Sequence, residues 1–274
     1  IYASAVGRID GNPGAGEIVE VRGADGRFLA WAAYSPESSI RARAWSFTEG
    51  TRVTADLLAE RVRLAVQRRA ALASDTTAAR LVFGEADGLP GLIVDRYADQ
   101  LVTQFQAAGV DAWRDVLIDA LLAATDCRDL YDRSDGATRV REGLPAISGV
   151  LRGDEPATQI AVQEHGLRYH VDVRRGHKTG FYIDQRDSRH LFARWTQRLG
   201  FQRVLNCYCY TGGFTVAALS GGAGHVTSID SSAPALERAA AHVALNGFDA
   251  ARATFMDAHT VEVVIRPDPN LFDG

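Results

Sequence analysis

Alternation of apolar and polar residues predicts short strands in the first part of the chain. Polar and apolar residues alternate in 16–21 and 40–47, and the run 28–34 is largely apolar and aromatic. A period of two is typical of half-buried strands. The pattern predicts a small β-barrel module over residues 1–52, followed by an amphipathic helix over 54–73 with apolar residues at helical spacing.

The middle of the chain, residues 53–156, mixes strands and helices. Apolar runs predict strands at four places, a helical pattern covers 113–124, and a loop containing Gly and Pro is expected at 149–156; the strands are expected at 81–85, 92–95, 101–107 and 130–133. After the helix of 54–73, the order strand, strand, strand, helix, strand is typical of an α+β domain.

From residue 157 onward, strands and helices alternate. A hairpin is predicted over 160–173, and a polar block, 176–189, precedes a helix that ends near Leu199. The remaining pattern predicts three strands with helices between them, at 204–208, 226–229 and 253–256. Strands that alternate with helices predict an α/β domain with a doubly wound parallel sheet.

A glycine turn and an acidic residue in this last domain indicate a nucleoside site. Gly212 and Gly213 follow the first strand, and Asp230 ends the second, about 20 residues later, where such folds bind a ribose. The pattern is not G-x-G-x-x-G, so the pyrophosphate cradle of NAD is missing. S-adenosylmethionine, which has a ribose and no phosphate, fits better. The alternative is an ordinary βαβ unit without a ligand.

The polar block contains more hydrogen-bonding groups than a linker needs. Asp184, Gln185 and Arg186 stand in a row immediately before a helix. Their position ahead of the nucleoside-type fold suggests a lid over its ligand. A cluster that caps the helix N-terminus is the alternative.

Composition indicates an ordinary globular protein. Hydrophobic residues make up 46% and charged residues 23%, and no run of about 18 apolar residues or signal-like start occurs. The three cysteines form no even framework, which favours a reducing compartment. We therefore expect a cytoplasmic protein without membrane attachment. Cys207 and Cys209 lack a second ligand pair, so we expect no metal and interpret both as small, partly buried residues.

Net charge alone does not indicate a nucleic-acid binder, because it is −4. Lys178 is the only lysine, and genomic composition is one explanation of the arginine excess. Arg41 and Arg43 share one face of a predicted strand whose other face is aromatic. Basic and aromatic side chains on a small barrel are consistent with RNA contact. A solvated strand face explains these two residues equally well.

Four motifs together resemble the RlmI-type ribosomal RNA large-subunit cytosine-C5 methyltransferases. They are DGLPG at 87–91, YDRSD at 131–135, GHKTGFYIDQRDSR at 176–189 and VLNCYCYTGGF at 204–214. The resemblance extends to about Asp257. It implies a multidomain protein with a β-barrel PUA-like RNA-binding domain (1–52), a central α+β domain (53–156) and a C-terminal α/β Rossmann-like methyltransferase domain (157–274).

The resemblance also implies roles for single residues. Asp230 would hold the ribose hydroxyls of S-adenosylmethionine, and Asp257 would contact the adenine amino group. The methionine and ribose end would be lined by Asn206, Tyr208, Thr211 and Gly212. Phe181, Gln185 and Arg186 would close over the cofactor or the target base. RNA contacts are expected from Arg41, Arg43 and Lys178.

We expect the protein to form 5-methylcytosine in large-subunit ribosomal RNA. Such enzymes use a cysteine, in a later motif, that attacks C6 of the cytosine; no residue of this chain matches it. Residues 263–270 only partly resemble the family's fourth strand and loop. We therefore expect the chain to be C-terminally incomplete and inactive by itself. The alternatives are methylation of another base or of a protein side chain, or an RNA-binding PUA-type protein with a degenerate or truncated cofactor domain. Homodimer formation stays open.

Overall fold

The computed structural model describes residues 1–258 of the chain. It divides into two compact units. The first contains residues Ile1–Thr158 and Val173–Gly180, and the second contains Gln159–Asp172 and the chain from Phe181 onward. Within the described range, none of the helices has both the length and the apolar character needed to cross a membrane. The three-domain division at residues 52 and 156 stays a prediction.

The strands that the alternating pattern predicted in the first part of the chain form an antiparallel sheet. Its order is β1-β2-β3, with β1 at Ile18–Arg22, β2 at Phe28–Tyr34 and β3 at Ala42–Ser46. β2 is the central strand, paired on both edges, and it contains a run of four buried residues at 30–33. Helix α1 (Ala55–Arg68) follows, and the Thr54 hydroxyl caps it by accepting a hydrogen bond from the Leu57 N–H at 3.2 Å.

A five-stranded mixed sheet is the core of the first unit. The chain order is β4 (Ala78–Phe83), β5 (Leu92–Tyr97), β6 (Gln100–Phe105), α2 (Ala108–Ala112), α3 (Arg114–Ala124), β7 (Asp129–Ser134), α4 (Ala137–Arg141) and β8 (Ile147–Arg152). Neighbouring strands in the sheet follow the same order, and only β6 and β7 run parallel. Helices α1 and α3 pack together, and Leu58, Val62, Leu117 and Leu121 belong to one buried cluster.

The prediction of a loop at 149–156 was partly wrong, because residues 149–152 belong to β8. β8 is an edge strand with mostly exposed or half-buried side chains and a glycine, Gly149, in its middle. Its backbone hydrogen bonds to β7 hold it in the sheet. A strand that is held by its backbone and buries few side chains gives little apolar alternation for a sequence pattern to detect.

Residues 173–180 belong to the first unit although both flanking segments belong to the second. The Thr179 hydroxyl donates to the buried Asp95 carboxylate and is also hydrogen-bonded to the Tyr97 hydroxyl at 2.8 Å. The Arg133 guanidinium donates to the Val173 carbonyl at 2.6 Å. These contacts attach the first part of the polar block, 176–180, and the residues just before it to the mixed sheet.

The second unit contains the hairpin and the parallel sheet that the sequence predicted. Its elements are β9 (Ile160–Glu164), β10 (Leu167–Val171), α5 (Arg186–Leu199), β11 (Arg203–Cys207), α6 (Gly213–Ser220), β12 (His225–Asp230), α7 (Ala233–Leu245) and β13 (Ala253–Asp257). β11, β12 and β13 pair in parallel in that order. The fourth strand suggested at 263–270 lies outside the described residues.

Candidate cofactor site

The carboxyl ends of the three parallel strands meet at one edge of the sheet. Cys207 is paired with Ile229, and Asp230 is paired with Asp257. Neighbouring strands lie about 4.8 Å apart, so the two aspartates occupy adjacent positions at this edge. Ligands of open α/β sheets bind in the crevice outside the carboxyl ends of the strands. The register thus places both acidic candidates where a ligand would bind.

The glycine turn between β11 and α6 has an unusual backbone. Tyr208, Tyr210 and Gly212 all have positive φ angles, of 55°, 48° and 74°. A left-handed conformation costs a residue with a Cβ atom roughly 1–2 kcal/mol. Hydrogen bonds hold it: Cys209 N–H donates to the Ile229 carbonyl at 3.0 Å, and Gly212 N–H to the Cys209 carbonyl at 2.8 Å. Strain of this kind is often found at ligand sites.

Asp230 stabilises this turn directly. Its Oδ2 accepts a hydrogen bond from the Tyr210 N–H at 2.8 Å, and its Oδ1 accepts one from the Ser232 N–H at 3.0 Å. A carboxylate has about four lone-pair sites. Each oxygen of Asp230 therefore keeps capacity for a further donor, as recognition of two ribose hydroxyls requires.

Three other cofactor candidates help to build the turn. The Asn206 amide donates to the Thr215 hydroxyl at 3.0 Å, and that hydroxyl is hydrogen-bonded to Ser228 at 2.7 Å. Thr211 is buried, and its carbonyl lies 2.8 Å from the ring nitrogen Nδ1 of His242. Tyr208 is 73% exposed and is available for a ligand contact.

Gly212 has a steric as well as a conformational requirement. A Cβ atom at this position would lie 2.7 Å from the Cβ of Ala239 on α7. Real Cβ contacts do not become this short, so α7 packs here against a bare backbone. The glycine that the sequence pattern singled out is therefore needed for packing of the turn on α7, whether or not a ligand is bound.

The three candidates from the polar block lie at the start of α5, in the same unit. Gln185 is exposed at the end of a short 3-10 helix, and the Arg186 guanidinium donates to the Asp187 carboxylate at 2.9 Å. Phe181 is buried instead, with its ring 5.1 Å from that of Tyr169. The Tyr182 and Tyr210 rings meet edge to face at 5.4 Å. This contact brings the segment next to the glycine turn. Phe181 packs against Tyr169 and is buried, so it is less available for a ligand contact than the exposed Gln185.

A buried ion pair fixes this segment, and the sequence patterns did not reveal it. The Arg189 guanidinium binds both oxygens of Glu164, at 2.8 and 2.7 Å, and donates to the Tyr182 carbonyl at 3.1 Å. The side chains are only 3% and 5% exposed. Arginine and glutamate are mostly solvated in proteins, so nothing local in the sequence distinguishes this pair from surface residues.

The cysteines do not have the properties of a nucleophile. Burial raises the pKa of the Cys207 thiol, and burial together with the Asp230 charge raises the pKa of Cys209 to about 12. A thiolate is the reactive form, and neither residue forms it readily at neutral pH. Within residues 1–258, no three His, Cys, Asp or Glu side chains are grouped so as to hold a metal ion.

The RNA candidates lie in the first unit. Arg43 forms an ion pair with Glu142 at 2.7 Å and a longer one with Glu85 at 3.3 Å, and its side chain is 17% exposed. Its charge is therefore largely neutralised by the protein. Arg41 is half-buried, and Lys178 is exposed with a positive φ of 56°. A cavity of about 660 Å³ beside β3 is lined in part by Arg43, Trp45 and Phe47.

Two family models match the chain. The PUA-like domain model matches residues 1–47, and the S-adenosylmethionine-dependent methyltransferase model matches residues 135–264. The two matches confirm the predicted PUA-like module and the predicted cofactor class of the C-terminal domain.

Curated relatives extend over nearly the whole chain. Ribosomal RNA large subunit methyltransferase I of Aliivibrio fischeri strain MJ11 is 40% identical over 96% of this chain and 66% of that protein. Proteins of the same name from Erwinia tasmaniensis and Shewanella denitrificans are 43% and 39% identical, over 93% and 100% of this chain and 64% and 69% of their own lengths. The chain spans about two thirds of the length of these relatives.

Solved structures of low identity share the fold. A putative SAM-dependent methyltransferase from Streptococcus mutans has a TM-score of 0.81 at 23% identity, over 96% of this chain and 67% of its own. A putative methyltransferase complexed with SAH has a TM-score of 0.80 at 24% identity, over 90% of this chain and 63% of its own.

Substitution of Gly212 by Ala should destabilise the second unit more than its backbone angle alone explains. Gly247 has the same φ of 74°, and a Cβ atom there would meet nothing within 4 Å. We expect Gly247→Ala to cost about 1 kcal/mol of the free energy of unfolding, and Gly212→Ala to cost clearly more because of the clash with Ala239. Equal losses in urea unfolding would contradict a steric requirement at Gly212.

Asp230→Asn should weaken cofactor affinity by about ten- to a hundredfold, since a hydrogen bond to a charged group is worth about 1.5–3 kcal/mol. Calorimetric titration with S-adenosylhomocysteine measures this. Asparagine keeps an oxygen for one of the two backbone N–H groups that Asp230 binds, so it disturbs the turn less than alanine would. Glu237→Ala removes an exposed charge from α7 and is the control. An unchanged dissociation constant for Asp230→Asn would contradict its ribose role.

Proposed function

Since the chain belongs to the ribosomal RNA large subunit methyltransferase I family, we propose that the protein transfers a methyl group from S-adenosylmethionine to C5 of a cytosine in large-subunit ribosomal RNA. The observation that carries this proposal is the position of Asp230 beside the strained glycine turn, at the carboxyl edge of a parallel sheet. The match of the methyltransferase family model over residues 135–264 supports it.

The residues at this edge suit S-adenosylmethionine better than a dinucleotide. Helix α6 starts at Gly213 and continues with Phe214, so the third glycine of a pyrophosphate cradle is missing. Asp230 retains lone pairs for ribose hydroxyls, and Asp257 lies at the adjacent strand end, where it would accept from the adenine amino group. When bound, the cofactor supplies an electrophilic methyl group.

The other residues of the site would orient the cofactor and exclude water. We assign the methionine and ribose end to Asn206, Tyr208, Thr211 and Gly212, which form or precede the turn. Gln185 and Arg186 would close over the ligand from the start of α5. Cys207 and Cys209 have no nucleophilic role in this proposal, because the pKa values of both thiols are raised.

RNA binding is proposed for the first unit. The match of the PUA-like domain model to residues 1–47 supports this. The exposed Phe47 ring, which lines the cavity, offers a stacking surface beside basic residues. Arg41 and Lys178 are the proposed phosphate contacts. Arg43 is a weaker candidate, because it already pairs with Glu142. A separate RNA-binding domain suits an enzyme that must extrude a base from structured RNA before methylating it.

A cytoplasmic location is part of the proposal. All three cysteines, Cys127, Cys207 and Cys209, are free, as expected in a reducing compartment. The proposed substrate, ribosomal RNA, is in the same compartment.

The central test is methyl transfer by the protein encoded by the complete gene. We expect radiolabel from S-adenosylmethionine to enter large-subunit ribosomal RNA, and nuclease digestion followed by mass spectrometry to recover it as 5-methylcytosine. Asp230→Asn is the matched low-affinity variant. Label in a different base would correct the specificity. RNA binding without incorporation of label in the presence of the cofactor would contradict the methyltransferase proposal and favour an RNA-binding protein.

Arg41→Ala should weaken RNA binding at low salt and reduce the slope of log affinity against log salt by about one, because one phosphate contact is lost. Filter binding at several salt concentrations measures the slope. The control is Arg27→Ala, which removes an exposed arginine from the turn between β1 and β2. Arg43 is unsuitable for this comparison, since its removal would leave the buried Glu142 without its cation. An unaltered slope for Arg41→Ala would place the RNA face elsewhere.

A further inference from the structure

His242 lies fully buried on α7 and touches two parts of the second unit through its ring nitrogens. Nδ1 is 2.8 Å from the carbonyl oxygen of Thr211, in the glycine turn. Nε2 is 2.9 Å from the backbone nitrogen of His170 on β10 and 3.2 Å from the His170 carbonyl oxygen. One side chain thus connects the turn with the hairpin.

The two contacts determine the tautomer of the ring. A carbonyl oxygen can only accept, so Nδ1 must carry the proton that it donates to Thr211. Nε2 is then free to accept from the His170 N–H. The opposite tautomer would place two acceptors 2.8 Å apart at Thr211 and is disfavoured.

The surroundings keep the ring neutral. Burial lowers the pKa of His242 more than the nearby carbonyl oxygens of Thr211 and His170 raise it, and the charges of His170 and Arg238 lower it further. Arg238 itself pairs with Asp172 at 3.5 Å. The Tyr169 ring meets the imidazole edge to face at 5.4 Å. A neutral ring with one donor and one acceptor is the form that satisfies both neighbours.

We infer that His242 is a positioning residue for the cofactor: its Nδ1–H holds the Thr211 carbonyl and thereby fixes the backbone of the glycine turn in its binding conformation. The inference rests on the proposed cofactor site. The turn is held from one side by Asp230, which binds the Tyr210 N–H, and from the other side by His242, at the next residue.

The position of this contact explains why one hydrogen bond would matter. Thr211 lies between two residues with positive φ, Tyr210 and Gly212, and helix α6 begins at Gly213. A rotation of the peptide group that follows Thr211 would redirect both its carbonyl and the Gly212 N–H. Without a donor, the buried carbonyl would favour such a rotation, since an unpaired buried acceptor is costly.

Two substitutions separate the link to the turn from the link to the hairpin. The amide nitrogen of asparagine can occupy the place of Nδ1, so His242→Asn keeps the donor to Thr211 and loses the hairpin contact. The longer glutamine places its amide near Nε2, so His242→Gln keeps the His170 contacts and loses the donor to Thr211. Both variants remove the ring and one buried hydrogen bond, so we expect similar reductions in melting temperature.

Calorimetric titration with S-adenosylhomocysteine should distinguish the two variants. We expect His242→Gln to bind about tenfold more weakly than the wild-type protein, and His242→Asn to stay within about threefold. Equal weakening of both variants, or a greater loss for His242→Asn, would overturn the positioning role and leave His242 as a packing residue. Failure of the wild-type protein to bind would instead overturn the cofactor site itself.

A measurement on the wild-type protein guards against variants that do not fold. Nitrogen-15 NMR of the histidine rings should show one neutral histidine protonated at Nδ1, and S-adenosylhomocysteine should slow the exchange of that proton by reducing opening of the turn. A His242 ring protonated at Nε2, or an exchange rate that the ligand leaves unchanged, would contradict the inference.

Discussion

The buried pair of Arg189 and Glu164 is the interaction on which the second unit depends. Removing two charges from water is costly, and only good geometry with further hydrogen bonds compensates for it. Both conditions are met: the guanidinium binds the carboxylate through two nitrogens, donates to the Tyr182 carbonyl, and lies over the Phe181 ring at 4.6 Å. One arginine of α5 therefore ties the hairpin to the residues that precede the helix, at 181–182.

The same arginine explains the second glycine of the turn. A Cβ atom at Gly213 would lie 2.9 Å from Cδ of Arg189. The glycine pair thus has two different steric origins, because Gly212 makes room for α7 and Gly213 makes room for the arginine. The two glycines that suggest ligand binding are therefore also required by the close packing of the turn against α7 and against Arg189.

Sequence patterns predicted the elements well and their tertiary partners poorly. The alternation between strands and helices predicted that the strands of the second unit are parallel. The position of Asp230 at the end of a strand was predicted from its spacing after the glycine turn. The hydrogen bonds of His242 were not predictable, because they join residues that lie 31 and 72 positions away in the chain. Arg43 illustrates the same limit: alternation gave its strand face, but its partner Glu142 is 99 positions distant. Periodicity reports local geometry and carries no information on such pairings.

The segment 173–180 of the first unit interrupts the second unit, and this limits how the protein can be divided into fragments. The chain leaves the second unit after Asp172 and re-enters it at Phe181, so no single cut yields either unit as one uninterrupted stretch. A fragment that starts at Gln159 would keep the hairpin but would carry Thr179 without its Asp95 acceptor. A fragment that starts at Phe181 would lose Glu164 and leave Arg189 unpaired. The two units are thus separate in three dimensions but interleaved along the sequence, so each depends on chain on both sides of the crossing points.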